Sequence, residues 1–473
     1  EIAVIDKQSG QKILEFSTGK EWVGGIALSA DGKYLAAKTS YHVYLFDLFD
    51  KLKVNPEQGR RVDTAKPDKP VWEFKYGEGT PIGDDVKGGI AISGDGSKIF
   101  ASIGNSALLF DKKSNRPVWQ SATEGQSYNV AISKDGNFAA AATAGSESNI
   151  NSNLLILWNA RSNKPLWQYH SVGNFHDVSL SDDGNFIAGA TGCPDKRFYL
   201  FSKDSNNPLI KSEQLTRDSP VHRAKISADG ALMAVGSESD GGAIFLFNKN
   251  AKNPVWKFPT PQGSSVRALN FTPGGQFIGA ATFNGNAYIF DKDKNVPVAE
   301  WKVNASLGGV DIADDGSFLV AGGTDKKLYI FDKNTKSTTE IPFNEYLEEI
   351  DISGNGKYIA AGTGGSVYFF ETYISQDRGK TFDCSSVTEP QPENQVRRDS
   401  GFDGATPQKT MGVWERVVNV IKSIFKIKPE QSIKQSQPSP EQPSGDAVCG
   451  NDYCEPNLGE TRENCPKDCS AGD

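Results

Sequence analysis

The residues best suited to chemistry in this chain are two of its four histidines, His176 and His222, together with the charged residues beside them. Both histidines occupy the same position of a repeated segment. Five places before the residue that ends the first strand of the repeat, most often a serine, the repeats carry Gly24, Gly88, Tyr128, His176, His222, Arg267, Gly308 and Glu348. One place later they carry Gly25, Gly89, Asn129, Asp177, Arg223, Ala268, Gly309 and Glu349. Imidazole, guanidinium and carboxylate groups gathered at one place can bind a charged ligand.

A second set of polar residues lies deeper in the same segments. The early repeats have small residues there, whereas the later ones have Lys225, Asn270, Asp311 and Asp351. We therefore predict a ligand-binding channel mouth formed by Tyr128, His176, Asp177, His222, Arg223, Arg267, Glu348, Glu349, Lys225, Asp311 and Asp351. The alternative is structural: Lys225 pairs with a nearby aspartate and Arg223 with Asp177, so that the charges only satisfy one another in a wet channel. A metal site formed by His176, His222 and Asp177 has no supporting spacing.

No catalytic residue is assigned from the sequence. It contains no His-Glu-x-x-His, no phosphate-binding G-x-x-x-x-G-K-[ST] and no G-x-S-x-G motif. The formal net charge of −8 and the pI near 5.3 argue against nucleic acid as the main partner. No run of roughly 18 apolar residues predicts a transmembrane helix.

The elements that position these side chains follow from an internal repeat. Its clearest copies are ISGDGSKIFASIGNSALLFDKKSNRPVWQ (92–120) and ISADGALMAVGSESDGGAIFLFNKNAKNPVWKF (226–258). The turns fall at Asp31, Asp95, Asp135, Asp183, Asp229, Gly274, Asp315 and Asn355. An Asp-Gly turn between short alternating runs predicts a hairpin, so each repeat is expected to form four strands. Such sheets have two apolar faces and must stack, and only a closed ring covers every face. The sequence therefore predicts an all-β, eight-bladed β-propeller.

Closure of this ring leaves one strand in surplus. Residues 1–6 and 11–16 have the pattern of strands three and four of a blade, while Glu348 to Glu371 supply strands one to three of the last blade. The extra strand is expected to pair at a sheet edge, either within the chain or with another copy. The recurring tryptophans either fill the gaps between blades or stack on a ligand; they are Trp72, Trp119, Trp167, Trp256 and Trp301.

The repeated phrase A-I-S-x-D-G-x-x-x-A … V-Y-L-F-D-K … P-V-W resembles WD-repeat and quinoprotein-like propellers of archaeal and bacterial surface proteins, over about residues 1–373. The resemblance implies a propeller domain at 1–373 and does not imply one function. Quinone-dependent alcohol dehydrogenases of this type use an adjacent cysteine pair, and this chain has no Cys-Cys.

The chain beyond 373 is predicted to hold four further segments. They are a polar linker (374–410), an amphipathic helix (411–428), a Pro/Gln/Ser-rich linker (429–446) and a Cys-rich module (447–473). The apolar stripe of the helix is flanked by Arg416, Lys422, Lys426 and Lys428, so it either docks on protein or lies on an anionic membrane surface.

The last module resembles short Cys-rich modules that end archaeal secreted proteins. Two disulfides among Cys449, Cys454, Cys465 and Cys469 are expected, with three connectivities open. A calcium site is possible at Asn451, Asp452, Glu455, Glu460 and Asp468. Cys193 and Cys384 are not expected to bond to each other, and Asn304 in Asn-Ala-Ser is a candidate for glycosylation.

The chain begins with Glu1 and is Cys-rich at its end, which indicates export with a signal peptide already removed. We therefore expect an extracellular or cell-surface, non-enzymatic module that binds a protein or glycan partner or assembles with its own copies into arrays or filaments. The alternative is an exported cofactor-binding enzyme that uses the channel mouth.

Overall fold

The computed structural model describes residues 3–6, 16, 18, 21–48, 52–54, 61–63, 70–76, 89–145, 152–238, 241–343, 345–354, 358–363 and 367–371. The chain divides into two compact units, Glu1–Phe382 and Asp383–Asp473. The predicted linkers, helix and Cys-rich module at 374–473 lie outside the described residues. Within the described residues no helix has the length and apolarity needed to cross a membrane.

The described strands form eight four-stranded sheets, here called blades, and one two-stranded sheet. The N-terminal strand β1 (Ala3–Asp6) belongs to blade 8. Blade 1 consists of β2 (Val23–Leu28), β3 (Tyr34–Thr39), β4 (His42–Asp47) and β7 (Trp72–Lys75), with the hairpin β5 (Leu52–Val54) and β6 (Arg61–Asp63) between its last two strands. Blade 2 consists of β8 (Ile90–Ile92), β9 (Lys98–Ile103), β10 (Ser106–Asp111) and β11 (Pro117–Ala122).

The middle blades repeat this antiparallel order. Blade 3 holds β12 (Gln126–Ile132), β13 (Phe138–Ala144), β14 (Leu154–Asn159) and β15 (Pro165–His170). Blade 4 holds β16 (Phe175–Leu180), β17 (Phe186–Thr191), β18 (Phe198–Ser202) and β19 (Ser205–Lys211). Blade 5 holds β20 (Val221–Ile226), β21 (Leu232–Ser237), β22 (Ala243–Asn248) and β23 (Trp256–Pro259), followed by a 3-10 turn at Pro261–Gly263.

The last three blades complete the series. Blade 6 holds β24 (Val266–Phe271), β25 (Phe277–Thr282), β26 (Asn286–Asp291) and β27 (Pro297–Lys302). Blade 7 holds β28 (Leu307–Ile312), β29 (Phe318–Gly323), β30 (Lys327–Asp332) and β31 (Thr338–Pro342). Blade 8 holds β32 (Leu347–Ile352), β33 (Tyr358–Thr363), β34 (Val367–Glu371) and then β1. The all-β prediction is confirmed.

The innermost strands contact one another in a closed cycle. In order they are β2, β8, β12, β16, β20, β24, β28 and β32, and β32 contacts β2 again. Every core cluster combines residues of two neighbouring blades; one joins Phe46 of blade 1 to Tyr358 of blade 8. Burial between neighbours is therefore what holds the blades together.

The predicted turns that the structure describes form as expected, with glycine at positive φ, and the turn at Asn355 lies outside the described residues. The Asp95 carboxylate accepts hydrogen bonds from the Ser93 hydroxyl and the Ser97 amide at 2.7 and 2.9 Å. Gly96 has φ 68°, and a Cβ there would lie 2.3 Å from the Tyr34 ring of the preceding blade. Gly32 stands in the same relation to Tyr358, which joins blade 8 to blade 1. Glycine is thus required both by the turn and by the neighbouring blade.

The surplus strand pairs within the chain. β1 runs parallel to β34, with Ala3 opposite Tyr368, and takes the fourth place of blade 8. The sequence pattern had assigned residues 1–6 to the third place, which β34 occupies instead. The segment 11–16 was predicted as a fourth strand; residues 11–15 lie outside the described residues, and Phe16 belongs to no strand.

The five recurring tryptophans join adjacent blades. Each indole nitrogen donates a hydrogen bond to a backbone oxygen of the following blade, at 2.8 to 3.3 Å: Trp72 to Lys112, Trp119 to Ala160, Trp167 to Lys203, Trp256 to Lys292 and Trp301 to Lys336. They lie in or beside the outermost strands, so the structure supports their interpretation as filling between blades.

Candidate functional site at the channel mouth

The column of residues predicted to line the channel mouth coincides with a series of β-bulges. In β16 the pairing register shifts between Phe175 and Asp177, which leaves His176 as the extra residue. The same shift occurs in every described inner strand except β8, at Gly24, Tyr128, His176, His222, Arg267, the pair Gly308 and Gly309, and Glu348. A bulge leaves its extra residue out of the ladder and re-aims the side chain. The bulges therefore give the mouth its own set of side chains, independent of the core.

Three of these bulge residues contact one another across blades 3 to 5. The Tyr128 ring stacks on the His176 imidazole with centroids 5.5 Å apart. His176 Nδ1 lies 3.2 Å from His222 Nδ1, so one of the two nitrogens donates to the other. These contacts place side chains from three blades in one continuous row.

The row continues through two residues that the sequence analysis missed. Glu238 Oε1 lies 3.1 Å from His222 Nδ1 and 3.1 Å from Arg267 Nη1. The Arg267 guanidinium carbon lies 5.5 Å from the Phe283 ring centroid, a cation–π contact, and Phe283 is 53% exposed. We call Tyr128, His176, His222, Glu238, Arg267 and Phe283 the mouth cluster.

A simple signal marks the two missed residues. Glu238 directly follows β21 and Phe283 directly follows β25, so both occupy the same position after the second strand of their blade. Blades 2 and 4 have Gly104 and Gly192 there, and blade 3 has Ala144. Aligning this column together with the first-strand column would have found them.

His176 is held neutral in this row. Burial lowers its pKa from 6.5 to about 4, the positive charge of Arg223 adds to the effect, and Asp177 opposes it. The ring fits only because residue 192 is glycine, since a Cβ there would lie 2.4 Å from His176 Nε2. His176 therefore acts as an uncharged, stacked group.

Asp177 and Lys225 have structural contacts, as the alternative interpretation expected. Asp177 is fully buried, and its carboxylate accepts hydrogen bonds from the Ala224 amide at 3.0 Å and the Asn129 side chain. Lys225 Nζ lies 3.2 Å from Asp177 Oδ2. Asp177 thus links blades 3, 4 and 5.

Arg223 does not pair with Asp177 as that interpretation expected. Its Nε donates a hydrogen bond to the Arg267 carbonyl at 2.7 Å. Within the described part of the chain, neither terminal nitrogen of this guanidinium has a partner. Arg223 thus links blade 5 to blade 6.

Asp311 and Asp351 join blades 6, 7, 8 and 1. Asn270 Nδ2 donates to Asp311 Oδ1 at 2.7 Å, and the Ile352 amide donates to Asp311 Oδ2 at 2.8 Å. The Leu28 amide donates to Asp351 Oδ2 at 2.6 Å. Burial raises the pKa of both carboxyls, and the charge of Asp311 raises the pKa of Asp351 further. These two residues lie in blades 7 and 8, outside the mouth cluster.

The remaining predicted sites are only partly covered by the structure. Glu348 and Glu349 lie in β32, and the Glu348 side chain is outside the description. Asn304 is exposed between β27 and β28, and Cys193 is an exposed free thiol. Over the ranges described above, no group of three or more His, Cys, Asp or Glu side chains has an arrangement that could hold a metal. Outside the description lie Cys384, Cys449, Cys454, Cys465 and Cys469 and the calcium candidates Asn451, Asp452, Glu455, Glu460 and Asp468.

Comparison with known proteins supports the fold. The family model "WD domain, G-beta repeat" (WD40) matches residues 296–332, which run from the outer strand of blade 6 through the first three strands of blade 7. No curated protein matches the chain.

Two solved structures show the same architecture. A crystal structure of the C-terminal WD40 domain of Sif2 is 15% identical, with a TM-score of 0.56, and the match covers 75% of this chain and 98% of that one. The structure of Chaetomium thermophilum Sqt1 is 14% identical, with a TM-score of 0.61, and the match covers 76% and 97%. At these identities the likeness shows the fold alone, which is that of a WD40 propeller.

Proposed function

We propose that this chain is a non-enzymatic, eight-bladed recognition propeller that binds a protein partner over the mouth cluster. The observation that carries the proposal is the continuous row of contacts from Tyr128 to Phe283, contributed by four consecutive blades. Propellers of the WD40 type commonly serve as scaffolds for protein partners, which agrees with this assignment.

The chemistry of the row indicates what the partner presents. Phe283 offers an exposed aromatic face, and the side chain of the adjoining Arg267 is 35% exposed. Arg223 adds a guanidinium whose terminal nitrogens have no partner in the described chain. Aromatic and arginine side chains dominate binding energy at protein interfaces. A partner segment with an apolar side chain next to a carboxylate matches this surface.

The histidines in the row favour recognition over catalysis. His176 contacts an aromatic ring on one side and His222 on the other, and burial keeps it neutral. His222 contacts Glu238, which also holds Arg267. This arrangement fixes the orientation of the side chains instead of activating a nucleophile.

The test compares two surfaces of the same propeller. Partners are captured from the native source with the wild type, with an R267Q/F283A variant and with a V118S variant at the outer edge, and each captured protein is then purified and titrated directly. We expect R267Q/F283A to weaken the Kd at least about tenfold, the loss typical of a hot-spot pair, and V118S to leave it unchanged. A partner that binds R267Q/F283A normally and V118S weakly would overturn the proposal.

Self-assembly through the outer strands is the second candidate. Five consecutive blades each expose one aliphatic side chain that directly follows a proline in or shortly before the outer strand. These side chains are 49 to 56% exposed: Val71, Val118, Leu166, Leu209 and Val255. Matching apolar positions on edge strands favour association with other copies. Arrays or filaments that persist in sedimentation and electron microscopy with the wild type, and disappear on replacing these five residues by threonine, would support it.

Export to the cell surface is part of the proposal and rests on the sequence. Mass spectrometry of non-reduced peptides from native protein tests the two disulfides among Cys449, Cys454, Cys465 and Cys469, and the same digest tests glycosylation of Asn304.

Calorimetric titration of the intact chain with Ca²⁺ tests the calcium site of the last module. Binding of the intact chain to vesicles with anionic lipid tests the membrane role of residues 411–428, and glycan arrays test the glycan alternative.

A further inference from the structure

Lys38 is a buried lysine that has no partner among the residues the structure describes. It lies in β3 and is only 4% exposed. Within the described residues its ammonium has no hydrogen bond and no ion pair. Burial of an unpaired charge is unfavourable, and proteins normally pair such a group or neutralise it. The position therefore calls for an explanation that packing alone does not supply.

The pairing register shows that Lys38 takes the place of an inner-strand side chain. In blades 4 and 5 the inner strand carries the large polar residue and the second strand the small one, with Asp177 opposite Ala190 and Arg223 opposite Gly236. In blade 1 the sizes are exchanged, because Gly25 is opposite Lys38. In blade 1 the charged residue therefore belongs to the second strand, whereas at the same level of blades 4 and 5 it belongs to the inner strand, as Asp177 and Arg223 do.

The surroundings of Lys38 offer no counter-charge in the described chain. Ala36, two residues earlier on the same face of β3, and the cross-strand neighbour Val43 belong to the core shared with Ile90 of blade 2. In blade 2, the register of β8 and β9 places Gly89 opposite Ser102, which corresponds to the pair Gly25 and Lys38 of blade 1. The Ser102 amide donates a hydrogen bond to the Gly89 carbonyl at 2.8 Å. Lys38 therefore lies at the seam between blades 1 and 2, and both blades have glycine on the inner strand at this level, Gly25 and Gly89.

We propose that Lys38 is the centre of a binding site for a small monocarboxylate on the glycine-lined side of the channel mouth. One ammonium neutralises one negative charge, whereas a phosphate dianion would leave a net charge in an apolar seam. At Gly25 and Gly89 the chain lacks the polar side chains with which Asp177 and Arg223 fill the same ladder position in blades 4 and 5. The inference does not depend on a protein partner at the mouth cluster, which lies in other blades.

The state of the free lysine agrees with this role. Burial lowers the pKa of Lys38 from 10.5 to about 8. A bound carboxylate favours the ammonium form and raises the pKa again. Binding is therefore expected to weaken as the pH rises above about 8.

The first experiment measures thermal unfolding of the intact chain in sodium acetate, sodium phosphate and sodium chloride at equal ionic strength and pH 7. A ligand of the folded state raises the Tm, and kosmotropic anions such as phosphate raise it without a site, so each salt is judged by the difference between the Tm shifts of wild type and K38M. K38M keeps the length of the side chain without its charge and should bind acetate at least tenfold more weakly, so we expect a larger shift for wild type than for K38M in acetate and equal shifts in phosphate. K134M, at an exposed lysine, serves as the matched control and should retain the acetate shift of wild type. Equal acetate shifts of K38M and wild type, or a wild-type excess in phosphate as large as that in acetate, would overturn the proposal.

The second measurement remains informative if K38M does not fold. The Lys38 side chain is followed by its ¹³Cε resonance in the wild type during pH titrations with and without acetate. We expect acetate to move the Lys38 titration midpoint upward, while exposed lysines such as Lys134 keep theirs. A Lys38 midpoint that acetate leaves unchanged would show that acetate does not bind at this lysine and would overturn the proposal.

Discussion

The neutral His176 leads to a test of the mouth cluster by pH. Its pKa is lowered from 6.5 to about 4 mainly by burial. The folded protein therefore resists the proton that the unfolded chain accepts once the pH falls below 6.5. The contribution of this residue to stability is complete above pH 6.5 and is lost as the pH falls toward 4.

The magnitude follows from the gap between the two pKa values. At about 1.4 kcal/mol per pKa unit, the gap corresponds to roughly 3 kcal/mol of unfolding free energy. Partial contact of the ring with solvent makes this an upper value. The variant H176Q cannot titrate, so it should lack this part of the pH dependence.

The assay is urea unfolding of wild type and H176Q from pH 7.5 to pH 4.5, followed by tryptophan fluorescence. Carboxyls with raised pKa values, such as Asp311 and Asp351, titrate in both proteins and cancel in the difference. We expect the wild type to lose about 2–3 kcal/mol more than H176Q over this range. H170Q, at an exposed histidine of the same chain, controls for the loss of an imidazole.

The titration is also seen directly by NMR of the four histidine Cε1 protons, assigned from single variants. The His176 resonance should shift with a midpoint near 4. Parallel loss of stability in wild type and H176Q, or a His176 midpoint close to 6.5, would refute the burial argument.

Three further predictions concern the seams and the mouth. W119F removes the hydrogen bond that crosses from blade 2 to blade 3, so it should lower the free energy of unfolding in urea by about 1–3 kcal/mol. The control V118T, in the same strand, should change it by less than about 0.5 kcal/mol. Equal effects of the two variants would contradict the role of the indole. G192V places a side chain where the His176 ring lies. It should shift the His176 and His222 NMR resonances and weaken partner binding without loss of the fold. Unchanged resonances would show that the ring lies elsewhere. The pKa of Asp351 is raised in the fold, so the contribution of this carboxyl to the free energy of unfolding is full below about pH 3.9 and falls as the pH rises. D351N should flatten this fall in stability. An unchanged slope of stability against pH would contradict the burial of the carboxyl.

Local patterns in the sequence were sufficient to predict the blades. The Asp-Gly turn, the alternation of apolar residues and the recurring tryptophan each act within a few residues, and each determines a hairpin or a buried face wherever it occurs. The same alignment also identified the column from Gly24 to Glu348, because every repeat places its inner strand at the same distance before the turn.

Only the tertiary structure decided what those residues do. The bulges depend on pairing with the second strand, so the first-strand pattern did not reveal that His176 and Arg267 leave the ladder. Glu238 and Lys38 come from second strands and their ends, and their meaning appears only when two columns are brought side by side. The fourth place of β1 likewise depended on which edge remained open after β34 had paired. Turns and burial patterns are determined by neighbouring residues, so the sequence predicted them. Contacts between strands distant in sequence are determined by the packing of whole blades, so only the tertiary structure shows them.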